Sequence, residues 1–349
     1  MAYTTINKST DYFNTKLYTG NGSTQAITGV SFQPDWVWIK NRQNSYNHAL
    51  FDAVRGVTKF IASNNANDEE TNANELTAFG ADGFTTGNAD RTNKNNDSFV
   101  SWNWKGGTTS GLSGGSITPS GYSYNATSGF GVYKYTGNGS NSTITHGLGK
   151  IPKLVIIKRL NASEDWAVFR YDVTVANNNA NNYLELNTSN AQAGDSGARW
   201  GVYQNMNTNT FGIGTDNATN ANGSTYVAYV FTDIKGFSKV GTYTGTGNAD
   251  GPFIYTGFKP AFILQKRIAV AGSWNLLDNK RLGYNPDNNR LFPDTNAVDN
   301  TLDIIDIYSN GFKITNSGSN YNNSGEVNIY MAFAAAPLVG TNNVPANAR

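Results

Sequence analysis

Tyr18-Thr-Gly-Asn-Gly22, followed by Pro34-Asp-Trp-Val-Trp-Ile-Lys40, decides the reading of this chain, because the pair recurs twice. Tyr135-Thr-Gly-Asn-Gly139 precedes Pro152-Lys-Leu-Val-Ile-Ile-Lys158, and Tyr243-Thr-Gly-Thr-Gly247 precedes Pro260-Ala-Phe-Ile-Leu-Gln-Lys266. Eight residues past each lysine stands a large ring (His48, Trp166, Trp274), and four further on a charged residue (Asp52, Arg170, Asp278). Downstream each copy has a Phe that opens a strand (Phe84, Phe211, Phe312). A last apolar strand then follows: Phe99 to Trp104, Tyr226 to Phe231, and Ile329 to Phe333. Several anchors in one order, three times over, define an internal repeat of about 110 residues. That spacing is too long for a solenoid unit and suits a sandwich or jelly roll.

The stretches between anchors read as strands. Aromatic and β-branched residues dominate them, and Asn, Gly, Thr and Ser punctuate the chain every 8–12 residues. In Phe99-Val-Ser-Trp-Asn-Trp104 the two-residue period puts Val100, Trp102 and Trp104 on one face and Phe99 on the other. Val227-Ala-Tyr-Val-Phe231 is apolar on both faces and predicts a strand covered on both sides. The Tyr-Thr-Gly-x-Gly motif predicts a strand running into a turn, where Gly and Asn accept positive φ. Each proline marks a strand start. Each lysine is expected to close its strand at the solvent boundary and snorkel. Trp36 with Trp38, and Trp102 with Trp104, are expected in the core.

The fold expected is therefore all-β, with three tandem homologous β-sandwich domains of jelly-roll or lectin-like type, each with its own core. Their boundaries are placed at 1–106, 107–236 and 237–349. The Gly/Ser-rich run at 106–115 reads as a flexible joint.

Composition excludes several classes. Among 349 residues there are 50 Asn, 37 Gly and 13% aromatics but only 15% charged residues, and the net charge is +1. Charge-driven disorder does not fit so many aromatics. A pI near 7.7 with no Lys/Arg block gives nucleic-acid binding no electrostatic basis. No stretch approaches about 18 apolar residues, so membrane insertion is not expected. Met1-Ala-Tyr-Thr-Thr5 lacks the basic start and apolar run of a signal peptide. With no Cys, disulfides and thiolate metal sites cannot form.

Chemistry-bearing motifs are sparse. The two histidines are His48, which stands where the other copies have Trp, and His146, in the turn Thr145-His-Gly-Leu-Gly149. His48 is expected to pack as a ring. Gly111-Leu-Ser-Gly-Gly115 spells a nucleophile-elbow pattern without the strand before it or the helix after it. Asn67-Asp-Glu-Glu70 has the oxygen ligands of a calcium site but reads as a solvated loop. Asp165, Asp172, Asp278 and Asp306 are available as carboxylate pairs, and none has a distinguishing context. No catalytic, cofactor-binding or metal residue is assigned, and no cofactor is expected. Exposed aromatics amid Asn and Gly would stack on sugar rings, though most must fill cores.

The residues also resemble a known family. Gln33-Pro-Asp-Trp-Val-Trp-Ile-Lys-Asn-Arg42, His48-Ala-Leu-Phe-Asp-Ala-Val-Arg-Gly56 and Tyr226-Val-Ala-Tyr-Val-Phe-Thr-Asp-Ile-Lys-Gly-Phe-Ser-Lys239 carry the likeness. So do Gly257-Phe-Lys-Pro-Ala-Phe-Ile-Leu-Gln-Lys-Arg267, Trp274 to Arg281, Ile329 to Ala334 and the ending Val344-Pro-Ala-Asn-Ala-Arg349. Together they resemble a repeat-domain family of virion structural proteins of marine bacteriophages and cyanophages. The resemblance implies a non-enzymatic virion protein, assembled in the host cytoplasm. A tail fibre or appendage for adsorption to the host surface is the leading expectation. Its partners would be other virion proteins, further copies of itself, and a host surface glycan or receptor. The alternatives are a capsid decoration, cement or head-fibre protein, a glycan depolymerase on a lectin-like sandwich, and a cellular carbohydrate-binding module. Relatives often carry Cys where this chain has Val230.

Overall fold

A computed structural model describes residues 3–172, 181–281 and 285–340. The run 344–349 quoted above lies outside them. The protein is all-β, with 42% strand and 6% helix. Its longest helices among the described residues are three four-residue turns at matching places, Asp90–Asn93, Asn217–Asn220 and Ser319–Asn322.

The three segments share one sheet order. In the first, strand Phe13–Thr19 pairs with the last strand, Ser98–Trp104. That strand pairs with the lysine strand Trp36–Asn41, and the lysine strand with Ala49–Asp52, all antiparallel. Phe130–Thr136, Thr225–Phe231, Leu154–Arg159 and Ala167–Arg170 repeat this order, with Gly121–Asn125 added at the edge. Ser238–Thr244, Val327–Pro337, Phe258–Arg267 and Asn275–Asp278 repeat it again. The register is equivalent too: Trp36 faces Trp104, Leu154 faces Phe231, and Phe262 faces Phe333. A smaller sheet accompanies each, built on Gln25–Thr28, Ser142–Thr145 and Phe253–Tyr255 paired with Gly83–Thr86, Thr210–Ile213 and Gly311–Ile314. Pro34 and Pro152 precede their strands. Pro260 lies inside its strand, at a bulge where the register shifts.

Strand alternation explains the core. Val37, Ile39, Phe51 and Phe99 fill a cluster inside the first segment, and Tyr133, Val155, Ile157 and Val230 one inside the second. The opposite faces are also apolar, so they too must leave water. They meet one another. Trp36 stacks on Tyr229 at 4.4 Å, Trp104 meets Phe262 at 5.5 Å, and Phe231 meets Phe333 at 6.0 Å. Trp36, Trp38, Trp102 and Trp104 belong to this shared cluster, which takes in buried residues of all three segments. The expectation of a core for each segment alone is thereby corrected: the large sheets are covered on both faces, by their own small sheet and by one another.

Polar contacts follow the same circle. The ring nitrogen of Trp166 donates to the carbonyl of Ala62 in the first segment at 2.9 Å. That of Trp274 donates to Glu185 in the second at 2.8 Å. His48 closes the ring. Its Nδ1 accepts from Trp38 at 2.8 Å, so its Nε2 carries the proton and faces the carbonyl of Phe292 in the third segment at 3.1 Å.

The three repeated lysines overturn the snorkelling expectation. Lys40, Lys158 and Lys266 are fully buried. Backbone carbonyls replace water around each ammonium: Asn41 for Lys40, Ala66, Arg159 and Glu164 for Lys158, and Ser189 and Gly272 for Lys266. Ala66 and Ser189 belong to the neighbouring segment, so two of these lysines stitch segments together. Burial lowers the pKa of all three from 10.5 to about 8, against nearby carboxylates led by Asp299, Glu164 and Asp294 respectively. Between those values the unfolded chain binds more protons than the folded one, so these groups add stability as pH rises from 8 toward 10.5. Replacing one of three, as in Lys158→Met, is expected to remove about a third of this contribution. Urea midpoints measured from pH 7 to 10 check it, and an unchanged slope refutes it.

The Tyr-Thr-Gly turns are fold determinants. Tyr18, Tyr135 and Tyr243 each donate at 2.7 Å to a carbonyl of the short helix, those of Thr92, Thr219 and Tyr321. A Cβ at Gly20, Gly137 or Gly245 would overlap the carbonyl oxygen of Lys94, Ala221 or Asn323. Buried Asn93, Asn220 and Asn322 hold the other side of the turn. Their Oδ1 accepts from the backbone N–H of Asn21, Asn138 and Thr246, at 2.8–2.9 Å.

Candidate functional site

The structure places both histidines and Asp165, Asp172 and Asp278 in structural contacts. His146 is buried, its Nδ1 accepting from the N–H of Leu148 and its Nε2 facing the carbonyl of Asn207. Burial takes its pKa down to about 4. His48 sits well below its ordinary range, chiefly through burial and then the charge of Lys40. Asp165 accepts from Asn187, Asp172 pairs with Arg170 at 2.6 Å, and Asp278 pairs with Arg281 at 2.7 Å. Asp306 stands opposite Lys313 on adjacent strands. Within Asn67-Asp-Glu-Glu70, Glu69 joins Arg55 and Lys59 at 3.2 Å each. Among the described residues no three His, Cys, Asp or Glu side chains are grouped to hold a metal ion. Gly111 to Gly115 precedes a strand, with no helix after it.

Val230 is fully buried in the core of the second segment.

One surface stands apart. In the strand Phe253–Tyr255, alternation buries Ile254 and turns Phe253 and Tyr255 outward. These two and Tyr308 are 42–49% exposed. Phe253 and Tyr308 lie edge to face, 5.8 Å apart. Gly311 on the neighbouring strand leaves room for the Phe253 ring, whose tip would lie 3.0 Å from a Cβ there. The corresponding strands of the other segments carry Ala26 and Thr28, or Thr143 and Thr145, in these places. Sequence alternation assigns these rings to one face, but it does not say that this face is left uncovered.

Beside Tyr255 opens a groove of about 550 Å³ whose lining includes Tyr3, Tyr255, Lys150, Lys235, Lys239 and Asp233. Two glycines shape it. Gly236 (φ +78°) and Gly257 (φ +84°) adopt the left-handed conformation, and a Cβ on either would strike Thr4 or the Tyr3 hydroxyl. The Tyr3 hydroxyl donates to the carbonyl of Gly257 at 2.9 Å and lies 3.2 Å from that of Tyr255. Burial, then the neighbouring Tyr255, pushes Tyr3 up to about 12, so its hydroxyl keeps its proton at neutral pH. Lys235 sits over the Tyr3 ring at 4.5 Å, and Lys239 donates to the carbonyl of Tyr255 at 2.7 Å. The Asp233 carboxylate accepts from the N–H of Val240 at 2.8 Å, and burial raises its pKa. The groove thus offers ring faces, hydroxyls and ammonium groups, a set that binds polar ligands carrying apolar C–H faces.

Fold and surface together define an all-β protein of threefold-repeated sheets with an aromatic groove lined by residues of all three segments. Its sequence matches the family described as "Domain of unknown function (DUF7483)" over residues 8–337, and the chain belongs to that family. No curated protein matches it.

Proposed function

We propose that the chain is a triplicated β-sandwich module serving as a virion adsorption protein, a tail fibre or appendage that binds a glycan on the host surface. The observation that carries this reading is the exposed set Phe253, Tyr255 and Tyr308, of which Phe253 and Tyr255 stand where the other segments have Ala and Thr, and Tyr308 where the first has Gly80. Exposed rings lose water readily and stack on the C–H faces of sugars, so one segment differentiated in this way suits ligand capture. The two other segments serve as body. The buried carboxylate and ammonium groups described above are held in ion pairs and carbonyl cages, which suits a binding surface more than a reaction centre.

Two measurements test it. Antibodies against the chain are expected to label the tail of intact virions; label over the whole head surface would favour capsid decoration, and unlabelled virions would refute a virion role. The double variant Phe253→Ala/Tyr308→Ala is expected to keep its melting temperature, since both rings are exposed, and to lose about tenfold in binding to host cells or their glycans. Undiminished binding would remove these rings from the ligand site.

A further inference from the structure

The groove beside Tyr255 carries the reading further, to a class of ligand. We propose that it binds an acidic saccharide, a sugar chain bearing carboxylate, sulfate or phosphate groups, with Lys150, Lys235 and Lys239 meeting the anionic substituents and Tyr3 and Tyr255 the ring faces. This rests on the glycan-binding reading above and adds to it the charge of the glycan.

The charge balance is local. The whole chain has 26 basic and 25 acidic residues, so cations have no general excess to draw on. Yet the groove gathers three lysines against one carboxylate. Among the described residues, none of the three lysines forms an ion pair, unlike Lys8, Lys59 and Lys313 elsewhere. Asp233 is held by the Val240 N–H, and burial favours its neutral form, with Lys153, Lys239 and Lys150 opposing. Lys150 and Lys235 are exposed, Lys150 reaching the carbonyl of Asp233 at 3.4 Å and Lys235 lying over the Tyr3 ring, so neither gives up an ion pair to meet a ligand. Lys239 is half-buried and fixed by the Tyr255 carbonyl, which holds its charge beside the ring it flanks. Charge next to an aromatic face is the pairing an acidic sugar needs, because its ring stacks while its anionic group finds a cation.

Size agrees. A second hollow of about 200 Å³ shares Tyr3, Lys150 and Lys235 with the main groove and extends it past Thr4 and Thr5. The combined space lies in the range of small-ligand sites.

The test uses the full-length protein on an array of neutral, uronate-, sialate- and sulfate-substituted glycans. Titration calorimetry on the best acidic and best neutral oligosaccharide follows, with inorganic sulfate as a separate arm. Acidic glycans are expected to bind more tightly than neutral ones by about tenfold or more, and the preference to shrink between roughly 50 and 500 mM salt. The triple variant Lys150→Gln/Lys235→Gln/Lys239→Gln should lose that preference while keeping its melting temperature. Tyr255→Ala should weaken acidic and neutral glycans alike. Neutral glycans binding as well as acidic ones would overturn the charge inference and leave the glycan-binding reading standing. Sulfate binding as tightly as the saccharides would reduce the groove to a simple anion site and overturn it too. No binding of any glycan would remove both. Acidic-glycan binding by a protein absent from virions would keep the groove and refute the virion role.

Discussion

Trp36→Ala is expected to destabilise the whole chain by about 3–5 kcal/mol, the range for deleting a large buried aromatic. Trp36 is fully buried at the point where segments meet, 4.2 Å from Trp104 and 4.4 Å from Tyr229 of the second segment, with Phe130 and Phe231 at 5.9 Å. The cavity would open into the shared cluster, not into one sandwich, so the damage should spread. Urea unfolding followed by tryptophan fluorescence and far-ultraviolet dichroism should show one transition in both proteins, shifted to lower urea in the variant. Two or three separate transitions, with only the first shifted, would mean that each segment folds by itself and that the shared cluster is weakly coupled.

The second large effect concerns Asp278. Arg281 is fully buried, its Nε 2.7 Å from Asp278 and its Nη1 2.8 Å from Asp299, with another nitrogen on the carbonyl of Leu276. Asp278 also accepts from the ring nitrogen of Trp102 in the first segment at 3.0 Å. Asp278→Ala leaves a buried guanidinium short of a counter-charge and an indole N–H short of an acceptor, and should cost about 3–5 kcal/mol. The double variant Asp278→Leu/Arg281→Met removes both charges and should recover most of that loss in the urea midpoint. Recovery no better than the single variant would show that the pair itself, rather than the orphaned cation, supplies the stability.

The same arrangement exists in the first segment. Asp52 holds Arg55 at 2.5 Å and accepts from Tyr229 of the second segment at 2.9 Å. Burial opposes the Arg55 charge, but Asp52, Tyr229 and Glu69 outweigh it and raise the guanidinium pKa. The second segment reverses the signs, with Arg170 paired to Asp172. The place of Trp102 and Tyr229 is taken in the third segment by Met331, which has no N–H or O–H to donate. A carboxylate facing it would have no donor to accept from. Where Asp52 and Asp278 accept from a ring of a neighbouring segment, Arg170 instead binds Gln192 and Asp172 within its own.

The groove was the least legible part of the molecule. Its residues come from three distant stretches, Tyr3, Lys150 and Asp233 to Gly257, and none sits in a repeated motif. Repeats report what every segment needs, and a feature built once leaves no such trace. The aromatic rings beside it are visible as alternation in Phe253-Ile-Tyr255, but alternation gives a face without saying whether something covers it. Asn93, Asn220 and Asn322 are the opposite case: a repeated, fully buried side chain whose signal was diluted among 50 asparagines.

By itself the sequence determined the strands, their alternation, the threefold repeat of anchors and the turn at each Tyr-Thr-Gly, because each of these is set by neighbours a few residues apart. Only the tertiary structure decided that the second apolar face of each large sheet is buried against the other two, that the repeated lysines lie inside carbonyl cages, and that one surface of the third segment stays open. Those outcomes depend on which distant faces meet, since an apolar face can be covered by any other and an ammonium group can replace water only with carbonyls that the packing brings to it.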